Sequence, residues 1–431
     1  MNGEFNENEN FEPVEPTDAT EELSESEQTA EPNTDTVEPK TRRVKVSTLI
    51  ISSVACLVCG ALIALAVVPN SLRMWVGGSS AYDKLATIEE IINANFKYID
   101  EVDESQLADM LAVGYVYGLG DPYSAYYTAE QYEQLQFSNA GQSYGIGISG
   151  VMYEDGGGIY IVRVTKNSPA ENSGIKKGDI VTAVDGTAVT ADNYNEQMDA
   201  IRGEIGTTVK LGIKRGSESL EISTTRSEFV GESASGEMIG EVGYIAIHTF
   251  NDATAPQFND ILDSHIENGA TSLIIDLRDN TGGLVNSACE VLDRLLPECD
   301  LGYAVYQNGS RKVLAHSDKN EVDLPISVIV NSRTASSSEL VAAALRDVVG
   351  AKLVGEKSYG KGIMQTTYPL GDGSAVRITV AEIYTAGGNQ YHGKGLEVDV
   401  FAEYTEEQAA TWFLLSGEND PYIAAALQSL K

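Results

Sequence analysis

Residues 329–345 read IVNSRTASSSELVAAAL. An apolar run that reads as a buried strand ends at Asn331, small polar residues turn the chain, and an Ala/Leu-rich stretch continues with helical spacing. A second segment, IDLRDNTGGL at 275–284, has the same grammar: a strand, a polar turn with paired glycines, then a helix. Working outward, strands are expected at 242–248, 272–277, 303–305, 325–330, 352–354, 364–368 and 375–383. Helices are expected at 255–267, 284–296 and 337–346. Such alternation over residues 229–431 predicts an α/β layered sheet with helices on its faces.

A serine at a strand–turn–helix junction sits where unpaired N–H groups and the helix dipole stabilise a developing negative charge. Ser336 is so placed, although serine is also an ordinary N-cap. In GEKSYGKGIMQ at 355–365, Lys361 is flanked by two glycines that permit close backbone approach. A lysine drawn into a partly apolar pocket loses hydration, its pKa falls, and the neutral amine can accept a proton from a hydroxyl. If 361–365 is extended, Lys361, Ile363 and Gln365 share one face, and Gln365 could orient the amine. The N–H groups of Gly282 or Gly283 could supply an oxyanion donor. Each segment alone has a plain structural reading, as a cap, a surface lysine or a turn.

Four histidines offer rival bases: His248 in a strand, His265 in a polar helix, His316 in a charged stretch, and His392 beside a glycine-rich segment. His392 is the best placed of them. No His/Cys/Glu grouping has metal-ligand spacing, so neither a metal nor another cofactor is expected.

Taken together, DLRDNTGG, NSRTASSSELVAAALRD and GEKSYGKGIMQ, with LGDPYSAYY upstream and GKGLEVD downstream, resemble the carboxyl-terminal processing peptidases, or tail-specific proteases. The resemblance covers about residues 85–430. It implies a crotonase/ClpP-like peptidase core, an inserted PDZ domain after an N-terminal helical segment, and a Ser–Lys dyad. By position Ser336 resembles the nucleophile, Lys361 the general base and Gln365 the residue that holds it. The Ser336 N–H and the Gly282/Gly283 turn resemble the oxyanion hole, while Glu339 and Asp347 take supporting, structural roles. Thr281 and Val398 stand where the family usually has proline, which bears on local turn geometry rather than on the dyad.

Residues 136–228 have a different texture, with short β-rich runs at 146–151, 158–164, 180–184 and 208–214, and a helix near 191–201. SYGIGI at 143–148 and SPAENSGIKKGDIVTAVDG at 168–186 together resemble a PDZ domain of the bacterial protease-associated kind. Backbone N–H groups of the turn Tyr144, Gly145, Ile146, Gly147 and Ile148 can receive a peptide carboxylate, and the strand from Gly147 can accept the peptide as an added strand. Residues 70–135 read as a helical segment, with a short helix at 129–135 capped by Thr128. Its amphipathic helices could form a homodimer contact or pack on their own core.

The amino-terminal part is of another kind. Residues 1–45 are acidic and polar and are expected to be a disordered cytoplasmic tail. The uncharged run TLIISSVACLVCGALIALAVV lies within residues 46–68, long enough to cross a ~30 Å hydrocarbon core as a transmembrane helix. Arg42, Arg43 and Lys45 precede it, which orients the body to the extracytoplasmic side of the cell membrane. Outside, Cys289 and Cys299 could pair, but two small, reduced core residues are the simpler expectation.

Of the net charge of −35, −9 sits in residues 1–46 and −26 in the remainder. A nucleic-acid binder needs a basic surface, so that class is excluded. The sequence thus predicts a single-pass, membrane-anchored serine endopeptidase that binds protein or peptide substrates by their exposed C-termini. The alternative is a non-catalytic extracellular PDZ scaffold.

Overall fold

The computed structural model describes residues 80–153 and 157–431. The acidic tail and the apolar run at 46–68 lie outside the described residues. Among the described residues, no helix is long and apolar enough to cross a membrane. The chain divides into two compact units, one through Glu101 and one from Val102 onward. The described part of the first is the helix Ser80–Asn95 and the single turn Ile99–Glu101.

In the second unit, the five-residue runs Ser272–Asp276 and Ile326–Val330 are buried at every position. Strands buried on both faces belong at the centre of a parallel sheet, and these two lie third and fourth in a six-stranded one. Its order is Ala234–Ile239, Val242–Ile247, Ser272–Asp276, Ile326–Val330, Lys352–Gly355, Val400–Phe401. The first pair is antiparallel and all the others are parallel.

Alternation along each strand sends side chains to opposite faces. Leu273, Ile275, Val328 and Val330 pack with Phe258, Leu262, Val291 and Leu340 from the helices Thr254–Glu267, Val285–Asp293 and Ser337–Val349. Ile274, Ile329 and Val354 point the other way, against Tyr422, Ile423 and Ala426 of the helix Pro421–Ser429. This is the expected α/β layering. The helix expected at 284–296 ends at Asp293, and Leu295 and Leu296 bury themselves beyond it.

A second, antiparallel sheet carries Ala125–Tyr127, Ala375–Thr385, Gly302–Tyr306 and Arg311–Val313, with Ile363–Pro369 also paired to Ala375–Thr385. The short helix Ala129–Asn139 starts as expected at Thr128, whose side chain accepts the Gln131 N–H while Gln131 returns a bond to the Thr128 N–H.

The third sheet runs Ile148–Met152, Ile159–Val164, Ile180–Val184, Thr208–Arg215, Glu218–Thr225. It has its own core, including Ile159, Ile161, Val181, Leu211 and Ile213. The helix expected near 191–201 is Tyr194–Arg202. The chain enters this lobe through Gln142–Gly145 and leaves through Ser227–Val230, and these two strands pair antiparallel. Entry and exit are therefore adjacent, the geometry an inserted domain requires. Glu218–Thr225 was not legible as a strand because most of its residues face solvent.

Candidate active site

Ser336 is half-buried and immediately precedes the helix Ser337–Val349. Its backbone sits at φ 59°, ψ −120°, a region that costs a non-glycine residue about 1–3 kcal/mol. Such strain persists because the surroundings over-determine it. Thr334, fully buried, donates its hydroxyl to the Leu277 carbonyl at 2.8 Å and receives the Asn331 N–H at 2.9 Å. The Ala335 N–H donates to the Asn280 carbonyl at 3.0 Å. Both strand-ending turns are thereby stitched together under the serine.

The Gly282/Gly283 turn lies directly against it. A Cβ on Gly282 would stand 2.8 Å from the Ser336 Cβ, and one on Gly283 would stand 2.0 Å from the Phe250 carbonyl oxygen. With φ of 100° and 146°, both positions demand glycine. Asn280, fully buried, holds the turn: its Nδ2 donates to the Ile247 carbonyl at 2.8 Å and its Oδ1 accepts the Gly282 N–H at 2.9 Å. The Gly283 N–H has no acceptor among the described residues. Thr281 is exposed, so the residue in place of proline faces solvent.

One expectation is corrected here. The Ser336 N–H does not face an open site, because it donates to Glu339 Oε2 at 3.0 Å. Ser336-x-x-Glu339 is a capping-box spacing, and the glutamate three residues into a helix naturally reaches back to that N–H. The Ser337 N–H, the first of the helix, has no acceptor among the described residues and is a free donor beside Gly282.

Glu339 has no exposed surface, and it gathers the lysine turn as well. It accepts Ser358 Oγ at 2.6 Å, the Gly360 N–H at 2.7 Å and the Lys361 N–H at 2.7 Å. Burial raises its pKa, against the four hydrogen bonds that favour the anion. The glycines around Lys361 have the predicted use: a Cβ on Gly360 would meet the Gly395 nitrogen at 2.7 Å, and one on Gly362 the His392 nitrogen at 2.9 Å. The GKGLEVD block thus packs on the lysine turn, and the Leu396 N–H donates to Ser358 Oγ at 2.7 Å.

The Lys361 side chain is half-buried. Burial, with the Arg377 charge beside it, holds its amine below the usual lysine range, while Asp121 and Glu339 act the other way. Its Nζ lies 4.8 Å from the centre of the Tyr123 ring and is not hydrogen-bonded to Ser336. Gln365 does not contact the amine either; it donates to Thr379 Oγ1 at 3.2 Å. Lys361 lies ahead of the strand Ile363–Pro369 and so outside its alternation, while Gln365 pairs with Thr379 next to a bulge at Val380 of the partner strand.

None of the four histidines is hydrogen-bonded to Ser336. His248 Nε2 lies 2.9 Å from Ser235 Oγ, and burial, then the Arg163 charge, pushes its pKa down to about 4. His265 pairs with the Tyr244 carbonyl, and His316 with Asp300 on the surface. His392 lies beside Gly362 with its Nδ1 unpartnered. Cys289 and Cys299 are free thiols. Among the described residues, no cluster of His, Cys, Asp and Glu could hold a metal.

Several site residues escaped sequence reasoning: Asp121, Tyr123 and Ser124 from LGDPYSAYY, Asn280, Ser358, Arg377 and Thr379. The Asp-Pro-Tyr-Ser turn was visible as a motif, but its destination was not. A cleft of about 820 Å³ opens beside the site, with Tyr123, Ile363, Thr379 and His392 among its walls.

In the third sheet, Ile148–Met152 is an edge strand with an unpaired side. Just before it, the N–H groups of Ile146 and Gly147 have no acceptor among the described residues. Tyr144, Gly145, Ile146, Gly147 and Ile148 all line a groove of about 270 Å³ that Met198 and Ile201 of the facing helix close.

A sequence profile for peptidase family S41 matches residues 241–401, and one for a PDZ domain matches residues 145–225. The carboxy-terminal processing protease CtpA of Bacillus subtilis (strain 168) is 36% identical over 329 residues, which are 76% of this chain and 70% of that protein. The chain belongs to the S41 carboxyl-terminal processing peptidases. As a member of this family it is a serine-type peptidase with a PDZ domain. The "Probable CtpA-like serine protease" of Staphylococcus haemolyticus (strain JCSC1435) is 33% identical over 308 residues, covering 71% of this chain and 62% of its own length. A solved structure from Bacteroides fragilis NCTC 9343, assigned to the S41 proteases, matches with a TM-score of 0.52 at 19% identity, over 68% of this chain and 87% of that one. That likeness is one of fold.

Proposed function

We propose that the protein is an endopeptidase that captures substrate C-termini in its PDZ groove and cleaves peptide bonds with a Ser336–Lys361 dyad. The carrying observation is the Glu339 carboxylate, which binds the backbone of both residues and so fixes the two turns relative to each other. In this reading the neutral Lys361 amine takes the Ser336 hydroxyl proton as Oγ attacks the scissile carbonyl carbon. The carbonyl oxygen becomes an oxyanion facing the free N–H groups of Gly283 and Ser337. The C–N bond then breaks, the leaving amine takes the proton from Lys361, and an acyl-enzyme ester remains. Water, deprotonated by the same amine, hydrolyses the ester. Lys361 must first leave the Tyr123 ring. In this reading Gln365 holds the amine once it has left the ring.

The natural test is hydrolysis of casein and of a C-terminally tailed peptide by the full-length protein, Ser336→Ala and Lys361→Ala. Loss of at least about 10³-fold in both variants is expected. Undiminished hydrolysis in both would refute the dyad. No wild-type hydrolysis, together with tight peptide binding, would establish the scaffold reading instead.

The residue 46–68 run supports a membrane anchor with the body on the extracytoplasmic side, to be tested by protease accessibility in intact cells. The helix Glu104–Tyr117 leaves Leu107, Met110, Leu111 and Val113 at least 41% exposed, which supports a homodimer contact. Light scattering of a Met110→Asp variant would test it, and an unchanged mass would reject it.

A further inference from the structure

The LGDPYSAYY block reaches the active site from the amino-terminal side of the PDZ insertion. Asp121 accepts the Tyr123 N–H at 3.0 Å and the Ser124 hydroxyl at 2.6 Å, which closes a tight turn. The turn is pinned to the second sheet, because Ala125 pairs with Arg377 and the Thr379 N–H donates to Ser124 Oγ at 3.3 Å. From this fixed base the Tyr123 ring meets the Lys361 ammonium at 4.8 Å. Among the described residues, no carboxylate forms a direct ion pair with Lys361 and its Nζ makes no hydrogen bond, so the ring face is its specific partner there.

An aromatic face attracts an ammonium through its quadrupole and has no comparable attraction for a neutral amine. The berth therefore discriminates between the two protonation states of the residue that must act as base. We propose that Tyr123 is a positioning residue for Lys361, its ring holding the protonated amine away from Ser336 and releasing it once neutral. This rests on the Ser336–Lys361 reading of the site. The charged and titratable groups around the amine are Asp121 on the turn, Arg377 on Ala375–Thr385 and Glu339 on Ser337–Val349. Tyr359, against Tyr123, and His392, beside Gly362, complete the set. Asp121 and Glu339 favour the ammonium, whereas burial and Arg377 disfavour it, so the ring adds to the first pair.

The test uses the full-length protein carrying Tyr123→Phe, which keeps the ring, or Tyr123→Leu, which removes it. The acid limb of the kcat/KM profile for a tailed peptide reports the ionisation of the base. Loss of the ring should move that limb to lower pH by about half to one unit in the Leu variant, with the Phe variant retaining the wild-type position. A parallel readout is competitive acetylation of Lys361 against pH in a Ser336→Ala background, which needs no peptidase activity. An unmoved limb in the Leu variant, or a Phe shift as large as the Leu shift, overturns the proposal. If the wild type hydrolyses nothing, the functional reading fails, while acetylation still decides whether the ring holds the ammonium. Should the Leu variant lose its cooperative thermal transition, Tyr123→Met removes the ring with a more adaptable side chain and is read by the same criteria.

Discussion

Glu339 Oε2 lies 2.7 Å from the backbone nitrogen of Lys361, and the same oxygen accepts the N–H of Ser336. One buried carboxylate therefore sets the relative position of two turns that come from different parts of the chain. Ser358 Oγ and the Gly360 N–H occupy its other oxygen.

Replacing Glu339 strands four donors, two of them buried and two part-buried. Each costs about 1–3 kcal/mol when unpaired, partly relieved by relaxation. Glu339→Ala should lose about 3–5 kcal/mol of stability and at least about 100-fold in kcat/KM. Glu339→Gln keeps one acceptor oxygen and turns an NH₂ toward the remaining N–H donors, so it should fall between Ala and wild type on both scales. Urea unfolding and peptide hydrolysis measure the pair. Wild-type activity in a stable Glu339→Ala protein would show that the two turns hold their geometry without it.

Lys361 carries a pH-dependent cost to the fold. Burial, with Arg377 beside it, lowers its pKa, so the unfolded chain binds that proton more tightly than the folded one. The cost is fully present below the folded pKa and disappears as pH rises toward the ordinary lysine value of about 10.4. Lys361→Met should thus be inactive by at least about 10³-fold yet melt higher than wild type near neutral pH. The gap should close as pH approaches about 10. Thermal melts across that range decide it, and a variant that melts lower at neutral pH would mean that contacts of the ammonium outweigh its burial.

The fold and the turns that carry Ser336 and Lys361 were legible for the same reason: each depends on local grammar. A five-residue run that is apolar but for Ser327, a small polar turn and an Ala-rich helix place Ser336 without any tertiary information, and the glycines around Lys361 announce close packing that the 391–395 segment then supplies. The errors came from effects that local grammar carries differently. Gln365 meets Thr379 rather than the amine, because Lys361 precedes the strand whose alternation was used to place the two on one face. The Ser336 N–H was misassigned although the capping-box spacing to Glu339 was there to be read. Tyr123 could not be placed at all, since its contact with Lys361 arises from strand pairing between segments on opposite sides of the PDZ insertion.

Gly282 separates a steric requirement from a chemical one. An added Cβ would press on the Ser336 Cβ at 2.8 Å and the Ala335 carbonyl at 2.9 Å, at a φ of 100° that L-residues rarely adopt. Gly282→Ala should move the serine rather than unfold the sheet, costing about 1–3 kcal/mol of stability and at least about 100-fold in kcat. KM for a tailed peptide should change much less, because the PDZ groove is untouched. Equal losses in kcat and in tail binding would show that the turn couples to the PDZ lobe.

Gly147 offers the converse separation. Its φ is 84°, and a Cβ there would stand 2.3 Å from the Ser168 Cβ and 2.6 Å from its hydroxyl. Gly147→Ala must push the loop away from Ser168, and with it the free N–H groups of Ile146 and Gly147 that face the groove. Tail binding, read by fluorescence polarisation of a labelled peptide, should weaken at least tenfold, which is about 1.4 kcal/mol. If the PDZ lobe only delivers substrate, kcat/KM for a tailed peptide should fall by that factor while an untailed peptide is hydrolysed as before, so the ratio of the two drops tenfold. If tail binding also switches the peptidase on, adding a separate tail peptide should accelerate hydrolysis of the untailed substrate in the wild type but not in Gly147→Ala. The absence of acceleration in the wild type would leave the groove as a tether alone, and the resting place of Lys361 over Tyr123 would then have to be relieved by the scissile segment itself.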